Sequence, residues 1–521
     1  MRHCFPRAQR VSSALVCGVL LVIGATRSVP AQEPFPGLDA YVADAVRAWN
    51  VPGLSIAVVR NDSLLFAKGY GVLSVGSSRA VNEHTLFEIG SSSKAFTATV
   101  VAMLVSDGKM KWDDRVTTYL PWFRLADPVA NAEITVRDLL THRSGVGRAE
   151  LIWIGAGVPR DTVLRRIAFV QPESPFRSRY SYQNVMFLAA GEAAGRAAGS
   201  SWDALVAERI LTPLTMTRSV TTSKGLTDPN VAKPHSAVRD SVFVKPHLNI
   251  DNVAPAGSIL SSARDMAQWL RFQLGDGVYQ GKRLLEAAPF RETHTPQILM
   301  SGGGGRGGGA DAERVTFFST YALGWMVHDY RGALVWQHGG NTDGMTSAVG
   351  MLPEQNLGVV VLVNMNSSAL PGLLMRWVFD RQLNVPQRDL AGEALARSRA
   401  QRVRADSAAA AQNTRRTTPA GPPPLPLTAF AGSYWDDVYG EATITLENGV
   451  LMLRRGDWHG PLEFRSGTSF RWTVPYQPVG QPEFINFDIA ADDRVTGFYF
   501  GIGEFVWLMR KRGPPARGGG P

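Results

Sequence analysis

Apolar positions along the chain fall into two kinds of stretch. Residues 54–60 and 63–70 are short runs rich in Ile, Val, Leu and Phe, and Asn61-Asp62 between them is a turn pair, which predicts a β-hairpin. After them the period lengthens. Ala95, Ala98, Val101, Ala102 and Leu104 recur at spacings of three and four and end at Asp107-Gly108, which predicts a helix. Residues 134–145 read as a short helix capped by Thr135 and closed by a tight loop, and residues 184–199 as a second strong helix. Ser200-Ser201-Trp202-Asp203 has the spacing of a capping box and opens a third; Ser262-Ala263-Arg264-Asp265 repeats it before Met266, Trp269 and Leu270. Strand-like runs return at 333–337, 346–351 and 357–364, followed by an apolar helix over 371–383. Two strands, a helical middle and closing strands with a last helix predict one antiparallel sheet flanked by helices, an α/β class.

The pattern changes at both ends. From about Pro386 large apolar residues thin out into an Ala- and Arg-rich stretch (391–416) and then a Pro-rich one (417–426), a linker that is helical and then extended. Short alternating runs at 442–446, 450–453, 484–487, 498–500 and 505–507 then predict a separate small all-β, antiparallel domain. At the other end, Arg2, Arg7 and Arg10 precede an apolar run over 11–25, and Val29-Pro30-Ala31 offers small residues for cleavage, so a signal peptide is expected over 1–31. The expected organisation is a leader (1–31), a main domain (32–385), a linker (386–426), a β domain (427–513) and a disordered tail (514–521).

Composition narrows the function classes. The chain has 521 residues with 45% hydrophobic and 19% charged, room for a sizeable core. Both cysteines, Cys4 and Cys17, lie in the expected leader, so the mature chain would hold no disulfide or Cys-ligated metal. Loss of Arg2, Arg7, Arg10 and Arg27 lowers the net charge of +9 by four, and without a concentrated basic patch nothing speaks for nucleic acid. The nine histidines form no H-E-x-x-H pattern, so no metal and no cofactor are expected. Residues 301–309 hold seven glycines but lack the Gly-Lys-Ser/Thr ending of a phosphate loop, and read as a flexible surface loop. An exported protein, periplasmic or extracellular, with no stable membrane insertion after cleavage is expected.

The candidate chemistry begins with Ser91-x-x-Lys94 at the start of the first predicted helix. Positions i and i+3 share a helix face, so the Lys94 amine would stand beside the Ser91 hydroxyl, which needs a base to become a nucleophile. The spacing recurs in Ser106-Asp107-Gly108-Lys109, where the helix stops and the serine would not sit at a helix start. Two more patterns follow in order: Tyr182-Gln183-Asn184 before a helix, and His338-Gly339-Gly340 after a strand. A Tyr182 phenol flanked by Lys94 can ionise and act as base, Asn184 offers a donor and an acceptor, and the glycines let a substrate approach the backbone.

Together with Ile134-Thr135-Val136-Arg137-Asp138-Leu139-Leu140-Thr141-His142-x-Ser144-Gly145, Ala256-Gly257-Ser258-Ile259-x-Ser261-Ser262-Ala263-x-Asp265-Met266 and Asn341-x-x-Gly344, these motifs resemble the serine β-lactamase and penicillin-binding-protein superfamily over about residues 42–384. The likeness is to its class C-related group of esterases, D-aminopeptidases and D-alanyl-D-alanine carboxypeptidases. It implies Ser91 as the acylated nucleophile, Lys94 and Tyr182 sharing the proton transfers, and Asn184 orienting the acyl side chain. His338, Gly339, Gly340 and Asn341 would line the substrate, with the Ser91 and Asn341 N–H groups as oxyanion hole. The β domain, opening on Gly432-x-Tyr434, resembles one often appended to such hydrolases. Where β-lactamases carry Lys-Thr-Gly this chain has His338-Gly339-Gly340, and an ordinary histidine is mostly neutral at pH 7 and charges between about pH 6 and 7. The expected function is therefore a serine hydrolase acting on a small ester, amide or short peptide. A β-lactamase or carboxypeptidase is the alternative, and an acylated but non-turnover penicillin-binding receptor the second alternative.

Overall fold

The computed structural model describes Met1 and residues 35–238, 241–300, 316–413, 421–473, 483–502 and 505–512. Apart from Met1, the expected leader, with the glycine-rich stretch and the tail, lies outside the described residues.

One antiparallel sheet of eight strands organises the main domain. In chain order its strands are β1 (Gly53–Arg60), β2 (Ser63–Gly71), β3 (Ile298–Leu299), β4 (Ser319–Tyr321), β5 (Met326–Tyr330), β6 (Ala333–Thr342), β7 (Met345–Leu352) and β8 (Leu357–Val363). They lie side by side as β2-β1-β8-β7-β6-β5-β4-β3. The hairpin turn between β1 and β2 has positive φ at both Asn61 (49°) and Asp62 (58°), the conformation a two-residue turn of this hand requires. β8 reads as an unbroken apolar run, and β1 as one interrupted by Ser55, because both faces of the sheet are covered. Leu54, Ile56, Val58, Val359, Val361 and Val363 pack on one side, with α1 (Leu38–Ala48) and the later helix Leu370–Gln382. Ala57, Val59, Val360 and Leu362 pack on the other, with the helical middle of the chain.

That middle is built around α2 (Ser93–Ser106), buried without a break from Ser93 to Leu104, which is why its sequence is apolar all round rather than striped. α3 (Val136–Leu139) carries the full capping box of Thr135 and Asp138. α4 (Asn184–Ala198) ends on Gly199 at φ +66°. The next helix starts one residue later than its capping spacing suggests: Ser201, not Ser200, accepts from Ala204 N. α5 (Ala263–Leu274) is capped by Ser262, but Asp265 turns away to Arg218 N, Ser219 N and Ser219 Oγ, tying this helix start to another segment. Phe96 of α2 stacks on Trp269 of α5 with ring centroids 3.9 Å apart. α6 (Leu370–Gln382) and α7 (Leu390–Asn413) complete the helical elements that matter here.

The C-terminal β domain is a closed barrel of eight antiparallel strands. They are β9 (Gly432–Asp436), β10 (Gly440–Glu447), β11 (Val450–Arg455), β12 (Trp458–Ser466), β13 (Ser469–Trp472), β14 (Glu483–Ile489), β15 (Val495–Ile502) and β16 (Phe505–Lys511). Closure, through β9 pairing with β16, removes the sheet edges a small β domain would otherwise expose. Phe430, Tyr434, Phe470, Phe487 and Phe498 fill its interior. Its buried apolar residues form one cluster with those around α2.

Candidate active site

Ser91 lies in a single tight turn, Gly90–Ser92, between the short strand Phe87–Glu88 and the start of α2. The turn is pressed against the sheet. A Cβ on Gly340 would stand 1.9 Å from Ile89 O, and one on Gly90, whose φ is +53°, would stand 2.8 Å from Asn341 N. Ser347 Oγ donates to Ile89 O at 2.7 Å and Ser92 Oγ to His338 O at 3.3 Å. The glycines of the His-Gly-Gly segment therefore bring β6 up to the serine turn and set the Asn341 amide beside it.

Lys94, one turn into α2, is fully buried. Its Nζ is 2.9 Å from Ser91 Oγ, 2.7 Å from Asn184 Oδ1 and 2.8 Å from Ala256 O. The Tyr182 hydroxyl donates to the same Ser91 Oγ at 2.7 Å. Burial drives the Lys94 pKa well below its ordinary value; the Glu150 charge opposes this and the Arg148 charge adds to it. Burial also pushes the Tyr182 phenol far above its usual range. Burial therefore works against the expectation that Tyr182 ionises to act as base, since it favours the neutral phenol, while it weakens the hold of the Lys94 amine on its proton.

The His338 ring turns into the fold. It is 2% exposed, its Nε2 lies 3.0 Å from the Tyr321 hydroxyl and its Nδ1 2.6 Å from Gly339 O. Both nitrogens are engaged by neighbours within the protein, and Gly339 and Asn341 are the exposed residues of the segment. Burial, and then the Lys94 charge, lower the His338 pKa to about 3, so the expected charging between pH 6 and 7 does not occur. His142 is also buried beneath the site, its ring 4.2 Å from that of Tyr182 and 4.6 Å from that of Tyr321, and its Nδ1 accepts from Gln183 N at 3.1 Å.

Two site residues were not singled out from sequence. Glu150 accepts from Asn184 Nδ2 at 3.0 Å, and Arg148 Nε donates to Glu150 at 2.8 Å. The Arg148 guanidinium lies 5.5 Å from the Tyr182 ring centroid. Glu150 therefore fixes which way the Asn184 amide points: its NH₂ faces the carboxylate, so its oxygen faces Lys94. An Arg-x-Glu, set off from the Thr-His-x-Ser-Gly segment by Val146-Gly147, is the available signal. The repeated spacing at Ser106 sits at the end of α2, with Asp107 as the capping residue. Among the described residues, no group of three or more His, Cys, Asp or Glu side chains could hold a metal ion, and no helix is long and apolar enough to cross a membrane.

Residues 38–380 match the beta-lactamase family, and residues 416–507 match a domain of unknown function, DUF3471. Among similar proteins, unguisins hydrolase ungD of Aspergillus violaceofuscus is 28% identical over 439 residues, covering 78% of this chain and 76% of that one. Penicillin-binding protein 4 of Amycolatopsis lactamdurans is 29% identical over 331 residues, covering 62% and 83%. The octameric penicillin-binding protein homologue from Pyrococcus abyssi shares the fold with a TM-score of 0.59 at 20% identity, covering 91% of this chain and 99% of that one. A D-stereospecific amidohydrolase from Streptomyces does so with a TM-score of 0.53 at 22% identity, covering 64% and 94%.

Proposed function

For a chain that belongs to the beta-lactamase family of serine hydrolases, we propose an exported enzyme that cleaves a small ester, amide or short peptide through an acyl-enzyme on Ser91. The observation that carries this reading is the Ser91 oxygen held between the Lys94 nitrogen at 2.9 Å and the Tyr182 hydroxyl at 2.7 Å. As a neutral amine, Lys94 gives its two N–H bonds to Asn184 Oδ1 and Ala256 O, which leaves its lone pair toward Ser91. Lys94 takes the Ser91 proton as Oγ attacks the carbonyl carbon, and the oxyanion forms beside the N–H groups of Ser91 and Asn341. The carbon–leaving-group bond breaks as Tyr182 gives its proton to the departing oxygen or nitrogen, and the Lys94 proton replaces it. Water then cleaves the acyl ester by the reverse transfers and restores the Ser91 hydroxyl.

A neutral, enclosed His338 supplies no cation for a substrate carboxylate, which supports esters, amides or D-amino-acid peptides over β-lactams. The similarity to a protein named for unguisins hydrolysis agrees with hydrolytic turnover. The second reading, a β-lactamase, carboxypeptidase or penicillin-acylated receptor, is favoured by one observation: Arg148 is a permanent, partly exposed cation beside Tyr182 that a carboxylate can approach. Assay of the purified protein against p-nitrophenyl esters, D-amino-acid amides and nitrocefin separates the two. Ester or amide turnover well above nitrocefin turnover supports the first, and the reverse order replaces it with the second.

A further inference from the structure

The turn between β11 and β12 of the barrel is driven into the loop that carries Arg148 and Glu150. Arg455, at the end of β11, is 4% exposed. Its Nη1 donates to Ile154 O at 3.3 Å and its Nη2 to Leu151 O, with Tyr439 O a longer acceptor at 3.5 Å. All three acceptors are main-chain carbonyls. A guanidinium buried on carbonyls alone keeps a large desolvation cost, and burial followed by the Arg166 charge lowers its pKa to about 10. Two of its three acceptors, Ile154 O and Leu151 O, belong to the loop, and the third, Tyr439 O, belongs to the barrel, so the side chain bridges the two.

The rest of the turn fits the same loop backbone to backbone. Asp457 N donates to Gly155 O at 3.0 Å. A Cβ on Gly456 would stand 2.3 Å from Gly155 O, and one on Gly155, at φ +58°, would stand 2.3 Å from the Trp458 ring. Inside the main domain the loop is held by Asn252 Nδ2 on Trp153 O at 2.9 Å, by its own turns (Ile152 N on Ala149 O at 3.0 Å, Ile154 N on Glu150 O at 3.0 Å) and by the buried Leu151 and Ile152 side chains, so Leu151 O, Ile154 O and Gly155 O are the carbonyls that the barrel engages. Leu151, whose carbonyl Arg455 grips, is the residue next to Glu150, and Glu150 sets the Asn184 amide against Lys94.

We propose that Arg455, with the Gly456–Trp458 turn, is a positioning element of the acylation site, by which the barrel fixes the 150–157 loop and through Glu150 the orientation of Asn184. The proposal rests on the reading of Ser91 and Lys94 given above. The barrel is then part of the catalytic unit rather than an appended module.

The test uses the full chain with Arg455→Met, Arg455→Lys, Gly155→Ala and Glu150→Gln. Amide hydrogen exchange is followed by mass spectrometry over residues 149–157, with peptides of α2 and of β10 as references. Arg455→Met and Gly155→Ala should each speed exchange of 149–157 at least tenfold while the references keep their rates. Labelling of Ser91 by a fluorophosphonate should slow by about 10- to 100-fold in Arg455→Met, with kcat falling more than KM changes. Arg455→Lys should recover part of the loss, because it keeps a cationic donor. Adding Glu150→Gln to Arg455→Met should cost much less than Glu150→Gln alone, since both act through Asn184. Unchanged exchange over 149–157, or multiplying losses in the double variant, would overturn the proposal. Absence of labelling in the wild type counts against the hydrolase reading instead, because the exchange comparison needs no turnover. Should Arg455→Met not fold, Gly155→Ala probes the same contact from the other side.

Discussion

Lys94 Nζ and Asn184 Oδ1 are 2.7 Å apart, and this contact sets the direction in which the amine faces. With Asn184 Oδ1 and Ala256 O as acceptors, the third tetrahedral position of Lys94 falls on Ser91 Oγ. The amine is thus oriented by groups outside the Ser-x-x-Lys motif, and burial and two nearby charges of opposite sign act on its proton affinity.

Those two charges can be tested separately. Arg148 lowers the Lys94 pKa and Glu150 raises it. Arg148→Met removes the lowering charge, so more of Lys94 stays protonated and the alkaline rise of kcat/KM should move to higher pH. Glu150→Gln should move it to lower pH, with a lower plateau because Asn184 loses its anchor. Shifts in the same direction in pH–rate profiles of the two variants would dissociate that rise from Lys94.

Lys94→Ala and Tyr182→Phe should each reduce kcat by on the order of 10²–10⁴ with little change in KM. Both groups act on one oxygen, so the double variant should be scarcely worse than either single one. Near-normal turnover of Tyr182→Phe would remove the phenol from proton transfer to the leaving group.

Much of this site was legible in the chain because its residues are tied to regular elements. Ser91 and Lys94 follow from a helix start and Asn184 from the next strong helix; Gly340 reads in sequence as room for a substrate, whereas in the fold the space is taken by Ile89 O. Proton affinities were not legible. The same His338 would titrate near neutrality on a surface, and it is burial, with the Lys94 charge next, that lowers its pKa, in a pocket closed partly by Tyr321 from a strand 17 positions away. Glu150 and Arg455 are illegible in sequence for a related reason: Glu150 meets Asn184 from a loop 34 positions away, and Arg455 meets Ile154 and Leu151 from 301 and 304 positions away. The barrel was visible as alternating strands, whereas its closure depends on pairing between β9 and β16, far apart in sequence.

His338 gives an acid-stability signature. Its folded-state pKa of about 3 lies below the unfolded value near 6.5, so its contribution is complete above pH 6.5 and is lost as pH falls toward 3. In that window the unfolded state binds the extra proton, and stability should fall by roughly 1 kcal/mol per pH unit from this group. His294, also buried with a pKa of about 3, adds in the same direction. Urea midpoints between pH 7 and 4 measure this, and a His338 NMR titration should show no inflection from pH 5 to 8. An inflection near 6.5 would mean the ring is solvated.

Gly340→Ala should separate the sheet from the serine turn, because its Cβ has 1.9 Å to Ile89 O. Overpacking of this kind costs about 1–3 kcal/mol, and it should also displace the Asn341 amide. Loss of Ser91 labelling by more than tenfold with a moderately lower melting temperature is expected. Normal labelling would show that the Asn341 amide need not stand where this backbone puts it.

The central claim is that Ser91 carries the acyl group, and intact-mass measurement after treatment with a fluorophosphonate or a penicillin tests it most directly. One adduct is expected, present in wild type and in Ser106→Ala and absent in Ser91→Ala. An adduct that persists in Ser91→Ala would contradict it.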